Sequence, residues 1–213
     1  MEKIQYFFEA TDDFPIAEFL EGLLYPYEIL IRAKEYFKAN KSFIHPNASV
    51  HETAVIRENV YIDDGAEVGS HAIIRPNTII CKNASVGHGS EVKHSVLFPG
   101  SKVASLSFVG DSVIGRSGRI GSGVITANRK FDQSVVTLKC GDGRESLGDD
   151  FFGLILGDFS RIGANSVTQP GCHIGRYSWV MPGTVVRGFV PSEKKVYDRR
   201  ETVVEDSERV ELK

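Results

Sequence analysis

The sequence predicts an all-β fold wound as a parallel β-helix, and two observations carry that prediction: an aliphatic beat of six residues and a slim side chain four places after each beat. From Ile44, every sixth position reads Ile44, Val50, Ile56, Ile62, Val68, Ile74, Ile80, Val86, Val92, Phe98 and Ala104. The beat returns as Leu156, Ile162, Thr168, Ile174, Val180 and Val186. The slim followers are Ala48, Ala54, Val60, Ala66, Ala72, Thr78, Ala84 and Ser90, then Ser160, Ser166, Cys172, Ser178 and Thr184. Helices repeat at about 3.6 residues and strands at 2, so a period of six belongs to neither alone. It suits short strands joined by tight turns, each coil stacked on the last, with the aliphatic inside and the slim residue letting the turn close.

The elements follow in order. Residues 1–43 form a helical cap or linker. Ile4 to Phe8 reads as a short strand, followed by an acidic turn at Asp12-Asp13. Pro15 suits the first turn of a helix that gathers Ile16, Phe19, Leu20, Leu23 and Leu24 on one face. Pro26 interrupts it, and Tyr27 to Ala39 reads as a second helix with Leu30, Ile31, Ala33 and Phe37 inward, closed by Asn40-Lys41-Ser42. These helices are expected to cover the open first coil, because a solenoid needs its exposed end protected. Residues 44–191 are the solenoid, with the register slipping between Phe98 and Ile114. An insertion at 127–153 breaks the beat; within it Ser134 to Cys140 reads as a strand and Gly141-Asp142-Gly143 as a turn. A long insertion in a repeat fold leaves on one side and carries function. The charged tail 192–213 alternates, so it either adds an edge strand or stays disordered.

Composition narrows the classes. A net charge of −3 and a pI near 6.1 argue against nucleic acid or an anionic membrane as the main partner. Cys81, Cys140 and Cys172 are an odd number without metal-like spacing, which reads as free thiols in a reducing compartment, with Cys81 and Cys172 packing on the repeat. No apolar stretch reaches 18 residues and the start lacks the order of a signal peptide, so a cytoplasmic protein is expected.

Full coils of three hexapeptides stack residues 18 apart, which places Arg75 directly over Lys93. Like charges opposite each other are destabilising. Either the two side chains splay into solvent, or both point at an anion such as a phosphate. Asn128 opens the insertion, where an amide could orient a sugar hydroxyl or an acceptor amine, or simply make a turn. Arg199 could meet a cofactor phosphate or be a solvated tail charge. No phosphate-cradling GxxxxGK[ST] motif is present.

The stretch "RPNTIICKNASVGHGSEVKHSVLFPGSKVASLSFVGDSVIGRSGRIGSGVITAN" resembles the acetyltransferase half of bifunctional glucosamine-1-phosphate N-acetyltransferase / N-acetylglucosamine-1-phosphate uridylyltransferase. "LGDDFFGLILGD" after the insertion, and "YPYEIL" before the repeats, are closer to the archaeal-type sugar-1-phosphate nucleotidylyltransferase/acetyltransferase, here without its nucleotidylyltransferase domain. The resemblance implies a left-handed parallel β-helix of the hexapeptide-repeat acyltransferases, a homotrimer, and sites between subunits that move an acetyl group from acetyl-CoA to an amino-sugar 1-phosphate. It places Arg75 and Lys93 on the substrate phosphate, Asn128 on the substrate, and Ser122, Ala164, Pro182 and Arg199 at acetyl-CoA. It also exposes departures. The general-base histidine of the motif is Ser105 here, the substrate-binding tyrosine is Phe108, and Asp132-Gln133-Ser134 stands where a lysine is expected. A hydroxyl does not take a proton near pH 7 as an imidazole does.

Three functions therefore compete. The first is an acyltransferase on an amino-sugar phosphate or nucleotide sugar, with His88, His94 or an unusually acidic amine making good the missing base. The second is a catalytically impaired relative that binds the sugar phosphate as a regulatory or trimerising partner of a separate nucleotidylyltransferase. The third is a metal-dependent hydratase, which the spacing of His51, His88 and His94 disfavours, so no metal is expected.

Overall fold

The computed structural model describes residues 2–9, 20–140, 143–146 and 150–199, with 201 and 204. Within them the chain is a parallel β-solenoid of three faces, consistent with the left-handed β-helix. The first face runs from Phe43–Ile44 to Phe189–Val190 and the second from Ser49–Val50 to Lys195–Val196, with eight strands each. The third runs from Val55–Ile56 to Val185–Val186 with seven. Each strand pairs in parallel with its counterpart one coil away, as Tyr61 does with Ile79 and Glu67 with Ser85. Inward residues Ile62, Ile74, Ile80, Val86, Val92, Ile114, Ile120 and Ile162 make one continuous core.

Before the insertion the beat fails at two places, and both lie at the same corner. Val96 pairs with Ile79, and Val113 with Val96, seventeen residues apart where Ile79 and Tyr61 are eighteen. The corners at His94-Ser95 and at Asp111-Ser112 are each one residue short. Phe98 and Ala104 are therefore not the core positions the unbroken beat assigns; Leu97 and Val103 are. Phe98 packs outside the coil instead, its ring 4.7 Å from that of Phe8.

Glycines let successive coils approach at the corner between the second and third faces. A Cβ on Gly121 would lie 2.7 Å from the Ala164 nitrogen, and one on Gly87 the same distance from the Ser105 nitrogen.

The N-terminal segment lies along the first face rather than over the open end. Helix α1 (Ile4–Phe7) replaces the expected strand. A strand would send Phe7 and Phe8 to opposite sides, whereas one helical turn puts Ile4, Phe7 and Phe8 together against the solenoid. The expected helix from Pro15 falls mostly on residues outside those described; Leu20 to Pro26 form turns. Helix α2 (Glu28–Ala39) forms as expected, with the Glu28 carboxylate accepting the amides of Leu24 and Tyr25. Ile29, Ala33 and Phe37 share its inner stripe, so Ile29 replaces Ile31, which is 48% exposed. Outward first-face residues Ile79, Val96, Val113 and Ile155 meet these helices and Val136, Leu138 and Phe152 of the insertion in a second core. The first coil stays open among the described residues, with Ile44 46% exposed.

The insertion leaves after Ile125–Thr126 and rejoins at Leu154–Leu156. Thr137–Cys140 and Gly143–Ser146 pair as an antiparallel hairpin; the expected turn at Gly141-Asp142 lies outside the described residues. The tail contributes Lys195–Val196 to the second face. Cys81 and Cys172 are free and buried, and burial pushes the Cys172 thiol up to about 12. No described helix is long and apolar enough to cross a membrane.

Asp158 fastens the N-terminal segment. One carboxylate oxygen accepts the Glu9 amide and the other the Arg116 amide, each at 2.7 Å. Burial pushes its pKa up to about 6, the two amides only partly opposing it. The folded protein thus holds this proton more tightly than the unfolded chain does. Its contribution is greatest below about pH 4 and is lost as pH rises through about 6, about 3 kcal/mol in all. Asp158→Asn cannot ionise, so its stability relative to wild type should climb by about that amount between pH 4 and 7. Urea unfolding of both proteins across this range checks it, and a constant difference would refute it.

Candidate functional site

The two shortened corners build a buried polar cluster. His94 and Asp111 occupy them with left-handed backbone, φ +42° and +47°. Both side chains are buried there. Asp111 Oδ1 lies 2.7 Å from His94 Nδ1, while Oδ2 accepts from Lys93 Nζ at 3.0 Å and from Asn128 Nδ2 at 2.6 Å. His94 Nε2 faces the Leu30 carbonyl of α2 at 3.1 Å. Burial favours the neutral acid at Asp111, but His94, Lys93 and Asn128 outweigh it and hold the carboxyl below its usual range.

Around this node opens a cleft of about 240 Å³ lined by Lys34, Arg75, Asn77, Lys93, Asp111 and Phe151. Arg75 follows one third-face strand and Lys93 ends the next, and both line the cleft. Each already holds a carboxylate: Arg75 bonds Glu91 at 2.7 Å and Lys93 bonds Asp111. Both ends of the insertion reach the site. Asn128 comes from its first residues, and Phe151 from its last, its ring centroid 4.3 Å from Lys93 Nζ and 5.1 Å from Arg129. A Cβ on Gly110 would collide with the Phe108 ring and the Asn128 amide, each at 2.7 Å, so that glycine seats both beside Asp111.

The second group of expected residues lies elsewhere. Ser105, Ser122, Ala164 and Pro182 stack in one column at the corner between the second and third faces. Gly123 donates to Ser105, Asn165 to Ser122 and Gly183 to Ala164 through backbone bonds of 2.8–3.1 Å. His88 occupies the same column one coil earlier, its carbonyl accepting the Leu106 amide. Its Nδ1 is 2.9 Å from Ser70 Oγ, and among the described residues its Nε2 has no hydrogen-bond partner. Ser105 and Ser122 border a groove of about 550 Å³ along the second face. The two groups are separated by the width of the third face, about five residues or about 16 Å. One chain does not bring them together. Arg199 is exposed beyond the last strand, at the corner that follows Lys195–Val196, one coil on from Met181 and Pro182. The described residues contain no cluster of three or more His, Cys, Asp or Glu able to hold a metal.

Phe151, Lys34 and Glu91 were not foreseen. Phe151 and Lys34 lie far from Lys93 in sequence, on the insertion and on α2, and nothing in the repeat marks them. Glu91 was readable in principle, since it precedes Lys93 on the strand that pairs with the one before Arg75.

Residues 56–141 match the GMPPB C-terminal domain family. The chain is 41% identical over 101 residues to a bifunctional sugar-1-phosphate nucleotidylyltransferase/acetyltransferase of Sulfurisphaera tokodaii, a match covering 47% of this chain and 25% of that protein. It is 35% identical over 119 residues to the bifunctional protein GlmU of Methanocaldococcus jannaschii, covering 55% of this chain and 29% of that one. The matched region thus spans between a quarter and a third of these relatives, in their C-terminal part. Among solved structures, the chain is 14% identical to AntD, an N-acyltransferase from Bacillus cereus, with a TM-score of 0.44 over 76% of this chain and 82% of that one. Perosamine N-acetyltransferase from Caulobacter crescentus, solved with CoA and GDP-perosamine, shares 19% identity with a TM-score of 0.33 over 78% and 60%.

Proposed function

We propose that the protein transfers an acetyl group from acetyl-CoA to the amine of a sugar phosphate or nucleotide sugar, at sites shared between neighbouring subunits of a trimer. The observation that carries this reading is the convergence of Arg75, Lys93, Asn128 and Phe108 on one corner, with Ser105, Ser122, Ala164 and Pro182 aligned on another. The similarity to proteins named as acetyltransferases supports it. The corner of Arg75 takes the sugar's phosphate, which displaces Glu91 from Arg75, and the column of Ser122 takes the cofactor. The third face between them supports the trimer. Its outward ladder runs Val55, Ile73, Glu91, Phe108, Ile125, Val167 and Val185, apolar at all but one rung. Packing that exposed stripe against a second copy would bring one chain's cofactor column to the other's phosphate corner.

His88 is the base that fits this reading. His94 is enclosed, with both ring nitrogens facing oxygen atoms, so it holds α2 to the solenoid and has no face to offer an amine. His88 shares the column of Ser105, and Ser70 can fix the tautomer that leaves Nε2 with a lone pair.

The test is acetyl transfer to glucosamine 1-phosphate and to UDP-linked amino sugars, alongside light scattering. Turnover is expected from a particle of three chains, and Arg75→Ala with Lys93→Ala should weaken acceptor binding by about tenfold or more. Sugar-phosphate binding without acetyl-CoA binding would favour a second reading, a non-catalytic partner of a separate nucleotidylyltransferase. The replacement of the basic histidine by Ser105 is the observation that keeps that reading in view. A single-chain particle would remove the shared site.

A further inference from the structure

The second face carries a cationic ladder that the proposed acyl transfer leaves unused. Its outward positions pair coil by coil as Lys102 with Arg119, Arg119 with Arg161, Arg161 with Trp179 and Trp179 with Lys195. All five are exposed. Like charges on adjacent rungs repel, and natural sheets offset this with opposite charges across the strands. Here no offset exists among the described residues: none of Lys102, Arg119, Arg161 and Lys195 has a salt-bridge partner, and the rung below Lys102 is Ser85. The interruption is as informative as the charges. Trp179 is 56% exposed and makes no ring contact among the described residues. A large indole left bare between two cations is a stacking platform without its partner.

The geometry points to a binding track for a nucleoside 5′-diphosphate, lying lengthwise on the second face with its base over Trp179 and its phosphates over Arg161 and Arg119. Rungs are about 4.8 Å apart. The ribose spans the step from Trp179 to Arg161, and the diphosphate reaches the next rung. Guanidinium groups suit this task, because their planar donors meet phosphate oxygens two at a time. Lys102 stands where a group attached beyond the second phosphate would continue, into the groove that also holds Ser105 and Ser122. A nucleotide sugar and coenzyme A both carry the required diphosphate. The track itself does not depend on acyl transfer.

Trp179 is the only tryptophan in the chain, so its fluorescence reports the site directly. Titration with UDP and ADP is expected to quench it saturably. Inorganic pyrophosphate should compete without quenching, since it has no base to stack. Arg119→Ala and Arg161→Ala should each weaken the binding by about tenfold. Trp179→Phe, followed by calorimetry, should retain binding. Arg75→Ala should leave the quenching unchanged, which separates this site from the sugar-phosphate corner even if no turnover is found. UDP-N-acetylglucosamine and coenzyme A are then compared, and whichever binds tighter identifies the natural carrier of the diphosphate. Quenching that rises linearly without saturation, or an affinity unchanged when both arginines are removed, would overturn the proposal.

Discussion

Replacing His88 with glutamine should slow acetyl transfer by about 10²–10⁴-fold, the usual worth of a general base, while leaving acceptor binding and thermal stability intact. The side chain is exposed and bonded only to Ser70 among the described residues, so its loss removes little packing. What it removes is an imidazole in the column of Ser105, where no other described side chain combines a free ring nitrogen with that position. An amine must shed a proton as it attacks the thioester, and a serine hydroxyl cannot take it near neutral pH. The discriminating measurement is kcat/KM against pH. Wild type should show an acid limb, and His88→Gln should lack it. Ser70→Ala should give a smaller loss with the limb retained, because only the tautomer preference is gone. An unaltered rate in His88→Gln would return the choice to an acceptor amine acidic enough to need no base, or to the non-catalytic reading.

The repeat made most of the fold legible because a stacked coil repeats the same environment every three hexapeptides. An aliphatic at Ile62 and another at Ile80 announce the same interior wall. The sequence becomes opaque where that translation is broken. Dropping one residue between Val92 and Leu97 moves the core from Phe98 to Leu97, and a second drop between Val109 and Ile114 shifts it again. An unbroken count cannot see this, because Phe98 is as apolar as the position it was assigned to. Those same two short corners carry His94 and Asp111. Arg75 over Lys93 was legible, since stacking is the one long-range rule a solenoid writes into its sequence. Phe151 and Lys34 were not, because an insertion and a flanking helix obey no such rule. The N-terminal segment failed for a related reason. Ile4 to Phe8 looks like a strand in isolation, and its helical turn is selected by the apolar outer side of the first face, which becomes a surface only once the coils have stacked.

Asp111→Asn should cost about 3–5 kcal/mol of stability, as expected when one member of a buried charge cluster is neutralised. Asparagine is among the few residues at home in left-handed backbone, so the φ of +47° is not itself disturbed and the effect reports the side chain. The carboxylate accepts on both oxygens, from His94 on one and from Lys93 and Asn128 on the other. An amide can accept on only one of them. If its oxygen stays with Lys93 and Asn128, its NH₂ group confronts His94 Nδ1, and the ring must give up a proton or turn away from the Leu30 carbonyl that ties it to α2. If the amide flips, the NH₂ group meets Lys93 and Asn128 instead, and the cleft loses the anchor that aims both. The first outcome loosens the helix and the second the site, so the variant should unfold at lower urea and also bind acceptor more weakly. Asp111→Ala would mix in backbone strain, and His94→Gln supplies the control that weakens the helix tether alone. Acid titration offers an independent check. A carboxyl held below its usual range stabilises the fold above about pH 4 and releases that stability only at lower pH. Wild type should therefore lose its advantage over Asp111→Asn only in strong acid, and an advantage that persisted there would mean that the cluster is held by packing rather than by the charge on Asp111.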